Sequence, residues 1–331
     1  MNRAKDDITS RPRRALRSGD FICERILRSL SAGASIWPAT SSFEMPLLET
    51  TPALRVLLVV AHPDDESECA AVVYRVTHEL GGVVDQVIVT NGEGGFEFAA
   101  PAQAFYRLPL AHKEAGRKHL CKIRRQEVLR ASRILRIRDH YFFNQRDSGF
   151  TLDPYEGLRA WNVPYVRKSI LALLQREDYD LVLTLLPGAD LHGHHQSVAV
   201  LTLEAVAELA PEKRPAVMAV RSAGEAPEPF SGLPEFPLTC TSKSEPIWSF
   251  DRRTSLGTHP ALDYSIIVHW VIAEHKSQGM FQMEYGRKTH ECYWRGNWRG
   301  PLAQSSGCPS RTRRAPFKTR ICFNGRKTPA C

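Results

Sequence analysis

Three side chains that can bind a metal or carry protons stand directly behind an apolar run of the sequence. His62, Asp64 and Asp65 follow Leu54–Val60. A β-branched apolar run of this length predicts a strand that is buried on both faces of a parallel sheet. Open α/β sheets bind ligands at the carboxyl ends of their strands, so we expect these side chains in an active-site crevice. The alternative is a polar turn in which one aspartate caps the next helix.

A second group of potential ligands occupies the same kind of position later in the chain. Asp190, His192, His194 and His195 follow the apolar run Tyr179–Leu186. Two parallel strands therefore bring both groups to one edge of the sheet. Two imidazole nitrogens, one carboxylate oxygen and an open fourth position are typical of a catalytic zinc site. The residues alone do not say which of these histidines binds the metal.

A metal in such a site indicates hydrolysis, because it acidifies a bound water and polarises a carbonyl oxygen. One aspartate of the first group, Asp64, is then free to accept the proton of that water. Iron accepts the same His and Asp ligands, so zinc is the first expectation and iron the second.

The two groups resemble the motifs of the PIG-L/LmbE-like zinc-dependent N-acetylglucosaminyl deacetylases. Three weaker likenesses support the two main motifs, and the resemblance runs from about residue 54 to residue 286. The main motifs are Ala61–Glu66 and the Asp-x-His-x-x-His segment of Asp190, His192 and His195; the weaker ones are Thr90–Gly95, Arg124–Glu127 with Ala131 and Leu135, and Glu274–Gln278.

The resemblance implies a role for each residue of the main motifs. His62, Asp65 and His195 become the metal ligands, and Asp64 becomes the general base. His192 becomes the group that stabilises the oxyanion or protonates the departing amine.

Three further residues are predicted to contact the substrate, namely Arg124, Glu93 and Asp190. For Arg124 the alternative is a solvated position on a helix rich in basic residues. The chain departs from the family at His194, where an acidic residue is common. We interpret His194 as a substrate or surface contact rather than as a spare ligand.

The implied activity is removal of an N-acetyl group from an N-acetylglucosamine-type sugar or sugar conjugate. Amide hydrolysis of another N-acyl substrate on the same metal site is the nearest alternative. A phosphoesterase is less favoured, because it usually needs two metals and more carboxylates. A Rossmann-like ligand-binding module without catalysis is a further alternative, although the full dinucleotide fingerprint is absent after the first strand.

Alternating strand and helix signals predict a Rossmann-like, doubly wound α/β fold. Its sheet is expected to be mainly parallel, with helices on both faces and the metal site at the carboxyl ends of the strands. We predict a disordered basic extension over residues 1–50, the deacetylase domain over 51–288 and a basic Cys- and Arg-rich tail over 289–331. A true start at Met45 and a shifted reading frame near the end explain the change in composition at the two ends better than a dedicated binding tail does.

Charge and composition further narrow the possible partners and the cellular location. The 331 residues carry a net charge of +8, and the excess of basic groups comes from the two ends rather than from the predicted domain. Nothing in the domain therefore indicates nucleic acid. No apolar stretch approaches the length of a membrane span, and the scattered cysteines favour a reducing compartment. These features predict a cytoplasmic protein; they do not indicate an oligomeric state.

Overall fold

The apolar run before His62 forms an interior strand of a seven-stranded sheet. The structure is a computed structural model, and it describes residues 24, 26–28, 30–31, 53–224, 226–257 and 261–296. The strands are β1 (Arg55–Val60), β2 (Val83–Thr90), β3 (His140–Gln145), β4 (Leu181–Leu185), β5 (Ala216–Ala223), β6 (Trp248–Asp251) and β7 (His290–Arg295).

Five strands of this sheet are parallel. The order is β3-β2-β1-β4-β5-β7-β6, and β7 runs antiparallel to both of its neighbours. The strand order reverses between β1 and β4, and in doubly wound sheets ligands bind in the crevice at this point. The prediction of a mainly parallel α/β sheet is confirmed. The antiparallel strand β7 and its partner β6 at one edge were not predicted.

Helices cover both faces because successive side chains of a strand point to opposite sides. Val56, Leu58 and Val60 pack into one apolar core, and Leu57 and Val59 pack into the other. The helices are α1 (Ala70–Tyr74), α2 (Gln103–Tyr106), α3 (Lys113–Ile134), α4 (Pro154–Ala160), α5 (Val163–Arg176), α6 (Gly193–Ala207), α7 (Ser265–Glu274) and α8 (Gly279–Gly286).

The segment after the first motif does not form one regular helix. It begins as a 3-10 helix (Asp65–Cys69), continues as α1 and ends as one π-helical stretch, Arg75–Glu79. All five residues of the 3-10 helix are buried. The tight first turn therefore keeps the polar residues of the motif at the edge of the sheet.

Strand β7 lies beyond residue 288, where the sequence predicts the end of the domain. Its Glu291 is fully buried, and its two carboxylate oxygens accept the backbone N–H groups of Ala71 and Val72 at 2.9 and 3.0 Å. The start of the predicted tail is thus part of the sheet, and it caps α1. The sequence did not indicate this strand, because it is short and precedes a basic stretch. Residues from 297 onward lie outside the described part.

Two residues of the predicted N-terminal extension are also buried. Ile26 and Leu30 pack into the same core as Val56. The rest of that extension lies largely outside the described residues.

Among the helices of the described residues, none is long and apolar enough to span a bilayer.

Candidate metal centre

The carboxylate of Asp65 is fixed by the backbone that precedes it. One of its oxygens, Oδ2, accepts the N–H groups of Ala61 and His62 at 2.9 and 2.7 Å. The 3-10 turn after β1 folds the side chain back onto the strand end. Its second oxygen, Oδ1, is thereby left to face the histidines.

Three acceptor atoms converge beside this turn. The Nδ1 atom of His62 lies 3.5 Å from Oδ1 of Asp65. The Nε2 atom of His195 lies 3.2 Å from the same oxygen and 3.2 Å from Nδ1 of His62. All three residues are buried. His62 comes from the end of β1 and His195 from the first turn of α6, just beyond β4.

This donor set fits a zinc ion. Ligands at about 2.0 to 2.2 Å in a tetrahedron stand roughly 3.3 Å from one another, which is close to the three separations here. Burial raises the pKa of Asp65, but His195 and His62 outweigh it and hold this pKa well below its ordinary value. The carboxylate is therefore ionised, as a metal ligand must be.

Asp64 points to a different partner from its neighbour in the motif. Its Oδ1 accepts a hydrogen bond from Nη2 of Arg124 at 2.7 Å. The same guanidinium donates through Nη1 to the carbonyl of Gly92 at 2.7 Å and is only 3% exposed. The alternative of a solvated Arg124 is therefore wrong. Burial lowers the pKa of Arg124, but the negative charges of Asp64 and Asp147 outweigh burial, so the net effect is a raised pKa.

Gly92 is required where the Thr90–Gly95 segment passes Arg124. Its φ is +72°, which disfavours other residues, and a Cβ atom there would lie 2.7 Å from Nη1 of Arg124. The glycine in the Thr90–Gly95 segment thus provides close backbone approach to the guanidinium rather than a nucleotide-binding loop.

His192 lies beside the three converging acceptors as the N-cap of α6. Its ring centroid is 4.8 Å from that of His62, and its Nδ1 accepts the backbone N–H of His194 at 3.0 Å. Burial, together with the neighbouring histidines, moves the pKa of His192 far below its ordinary value. A neutral ring whose Nδ1 accepts carries its hydrogen on Nε2, which makes Nε2 a donor.

A cavity of about 290 Å³ opens over these groups. Among the predicted substrate contacts, Arg124 and Asp190 line it. Asp190 is 60% exposed on its side chain and is ion-paired with Arg221 at 2.8 Å, so it belongs to the rim. Glu93 is not among the lining residues, although burial raises its pKa and one carboxylate oxygen is buried without a partner.

Two lining residues that sequence reasoning missed are buried acids. Asp147 follows β3, and Glu68 lies in the 3-10 turn, where its Oε2 accepts the N–H of Ser222 at 2.6 Å. The position of Asp147 behind a predicted strand was a signal that could have found it. The sequence gives no comparable signal for Glu68.

His194 is the clearest difference from expectation. It is fully buried rather than at the surface, and its Nδ1 lies 3.1 Å from Nε2 of His62. His62, His192 and His194 also form a second group whose ligand atoms lie within 4.8 Å of one another.

Side chains of the last weak motif, Glu274–Gln278, make buried contacts with residues next to the site. Nε2 of His275 and Oε1 of Glu66 are 2.5 Å apart, and both side chains are fully buried. The hydroxyl of Ser277 donates to Glu127 at 2.5 Å, and Gln278 donates to the carbonyl of Gly95 at 3.0 Å. His275 is therefore a buried partner of Glu66 rather than a solvent-exposed group.

The fold and the site define a mainly parallel α/β protein with a His₂Asp candidate metal centre at the switch point of its sheet. A comparison with protein families gives the same assignment. Residues 57–206 match the PIG-L family, described as GlcNAc-PI de-N-acetylase. The match covers less than half of the chain, and over these residues it confirms the resemblance predicted from the motifs.

Individual relatives are more distant. A probable N-acetyl-alpha-D-glucosaminyl L-malate deacetylase 2 from Bacillus anthracis is 30% identical over 166 residues, which cover 50% of this chain and 65% of that protein. The match thus spans somewhat less than two thirds of that relative.

Two solved structures have similar folds at low identity. The N,N'-diacetylchitobiose deacetylase of Pyrococcus horikoshii is 19% identical, with a TM-score of 0.47 over 73% of this chain and 83% of its own. GalB, the 4-carboxy-2-hydroxymuconate hydratase of Pseudomonas putida, is 16% identical, with a TM-score of 0.48 over 76% and 98%.

Proposed function

We propose that this protein is a metal-dependent hydrolase that removes an N-acetyl group from an N-acetylglucosamine-type sugar or sugar conjugate. The observation that carries the proposal is the convergence of His62 Nδ1, Asp65 Oδ1 and His195 Nε2 within 3.5 Å of one another. The match of residues 57–206 to the PIG-L family model supports the choice of reaction. The name of the Bacillus anthracis relative supports an amino-sugar conjugate as substrate.

His62, Asp65 and His195 would hold the metal, and zinc is the ion that this donor set fits best. A zinc ion bound there supplies a Lewis acid that acidifies water and polarises the acyl carbonyl. Iron is the second choice, because it accepts the same ligands.

Asp64 acts as the general base in this proposal. Its carboxylate accepts the proton of the attacking water while the water oxygen forms a bond to the acyl carbon. Arg124 donates a hydrogen bond to this carboxylate at 2.7 Å and so fixes its orientation. The carbon–nitrogen bond then breaks, and the proton taken by Asp64 passes to the departing amine, which leaves acetate and a free amino sugar.

His192 stabilises the oxyanion. Because its Nδ1 accepts the N–H of His194 at 3.0 Å, its Nε2–H is available to donate to an acyl oxygen as negative charge develops. This geometry favours the oxyanion role over the alternative of a cationic acid for the amine.

The test is metal content and acetate release from the full chain, measured on N-acetylglucosamine and its conjugates. We expect one equivalent of metal in the wild type and its loss in His62→Ala. Asp64→Asn should retain the metal and lower turnover by about 10² to 10⁴-fold. His112→Ala is the control for histidine removal, since His112 is exposed and does not line the cavity.

The alternatives give different results in the same experiment. Metal without acetate release from any amino sugar would direct the assignment to another N-acyl substrate. A wild-type protein that binds no metal would overturn the proposal. The alternative of a Rossmann-like ligand-binding module without catalysis would then be favoured.

A further inference from the structure

We propose that His194 is a positioning residue that fixes the metal-binding tautomer and ring orientation of His62. The inference rests on the metal site of the proposed function. It begins at the one position where this chain departs from the family motif, and the structure buries that position completely.

The tautomer argument starts at the ring of His62. Nδ1 of His62 faces Asp65 and His195, so it must present a lone pair to a metal. A neutral imidazole has one N–H, which is then on Nε2. Nδ1 of His194 lies 3.1 Å from that Nε2 and accepts its hydrogen.

The second ring is held in turn. With Nδ1 accepting, His194 carries its own hydrogen on Nε2, and the hydroxyl of Ser148 lies 2.9 Å from that atom. Asp147 lies 3.6 Å from Nδ1 of His194, beyond hydrogen-bond distance, and one of its oxygens accepts the N–H of Gly149. The direction of the relay is therefore His62 to His194 to Ser148.

Burial makes this relay consequential. His194 is 0% exposed and its ring centroid lies 5.1 Å from that of Trp161, so water cannot replace it as the acceptor for His62. Metal-ligating histidines usually donate their other N–H to a carboxylate, a carbonyl or water. Here a neutral imidazole takes that place.

The experiment compares two substitutions whose side chains have nearly the same shape but differ in whether they carry a hydrogen-bond acceptor. His194→Asn retains an acceptor at the position of Nδ1, because the Asn side-chain oxygen occupies nearly the same place. His194→Leu fills similar space without an acceptor. We expect a weakening of zinc affinity of about 10 to 100-fold for His194→Leu, and roughly wild-type affinity for His194→Asn.

The readout is the zinc dissociation constant of the full chain, measured by competition with a chelator. Co²⁺ absorption of the substituted proteins reports ligand geometry independently of activity. Gln196→Leu is the matched control: Gln196 lies in the same first turn of α6, is equally buried and donates to the carbonyl of Leu191 at 2.8 Å rather than to His62. Thermal unfolding verifies that each variant is folded.

Three results would overturn the inference. The first is zinc affinity in folded His194→Leu equal to that of Gln196→Leu. The second is equal weakening in His194→Leu and His194→Asn, which would assign the loss to packing. The third is two equivalents of zinc in the wild type and one in His194→Leu, which would make His194 itself a ligand. If the wild type binds no zinc, the proposed function fails as well, and that outcome is distinct from the other three.

Discussion

The two ends of the parallel sheet both bury charged groups, but they satisfy them in opposite ways. At the amino end of the strands, the fully buried Asp85 of β2 accepts hydrogen bonds from Arg138 and from the hydroxyl of Tyr179. Every contact there joins a donor to an acceptor. At the carboxyl end, Asp65 and two histidines turn acceptor atoms toward one another.

This difference separates a structural network from a candidate site. A buried acceptor without a donor is costly, and the three atoms that lie within 3.5 Å of one another are those that hold the metal in our proposal. Asp64 illustrates the boundary between the two kinds of environment, since it lies next to a proposed ligand and yet has a donor of its own in Arg124.

Among the substitutions that test this difference between the two ends, Arg124→Met is expected to have the largest effect. This substitution leaves the carboxylate of Asp64 without the buried donor that orients it. We expect turnover to fall by about 100-fold, the size of effect that small misplacement of a catalytic group produces. Metal content should not change, and this separates the base from the metal ligands.

The control for that experiment is Arg125→Met on the same helix. Arg125 is exposed and stacks on Phe142, with its guanidinium carbon 3.9 Å from the ring centroid, so its turnover should stay near wild type. Loss of metal from Arg124→Met would show that the base and the ligands are one unit, contrary to our assignment.

A smaller effect, on stability alone, is expected from Asp85→Asn at the other end of the sheet. The change removes the charge that Arg138 and Tyr179 contact. Because Arg138 is 40% exposed, we expect a loss of about 2 kcal/mol in the free energy of unfolding, below the range for fully buried pairs. Zinc affinity and turnover should remain those of the wild type.

Chemical denaturation together with zinc titration measures both quantities. Asp139→Asn is the control, because Asp139 contacts the same arginine at 3.1 Å but is 53% exposed; it should cost less than about 0.5 kcal/mol. A fall in zinc affinity for Asp85→Asn would contradict the independence of the two ends.

The smallest effect concerns pH and the pair formed by His275 and Glu66. Burial lowers the pKa of His275, but Glu66, with help from Asp64 and Glu127, outweighs it and raises this pKa above its ordinary value of 6.5. A raised pKa contributes stability that is fully present below pH 6.5. That contribution is lost as the pH rises through the pKa of the folded state.

Unfolding free energies of wild type and His275→Gln from pH 5.5 to pH 9 check this. The advantage of the wild type should be greater at the acid end and should shrink toward pH 9. His112→Gln, at an exposed position, supplies the control. An advantage that grows with pH would mean that the folded protein holds His275 neutral.

The sheet, and the residues that come together at its carboxyl edge, could be predicted from the sequence because both depend on local signals. Unbroken apolar runs identify β1 and β4, and polar residues directly behind them must meet at one edge. His62, Asp65 and His195 converge for this reason.

Other features depend on which distant side chains meet, and no local pattern encodes this. The contact of His194 with His62 joins residues 132 positions apart, and that of His275 with Glu66 joins residues 209 apart. Burial decided the environment of both histidines, and a histidine in an isolated sequence segment gives no sign of burial. The same limit explains why β7 was assigned to a tail.

The cap that Glu291 provides for α1 has a consequence for the order in which the protein is made. The carboxylate that accepts the N–H groups of Ala71 and Val72 lies 220 and 219 residues further along the chain. At synthesis rates of 5 to 20 residues per second, this delay is roughly 10 to 45 s. During vectorial synthesis on the ribosome, the histidine and aspartates at the start of the chain therefore emerge well before the strand that completes their support. A nascent chain halted before Glu291 would expose these ligands on an unfinished helix.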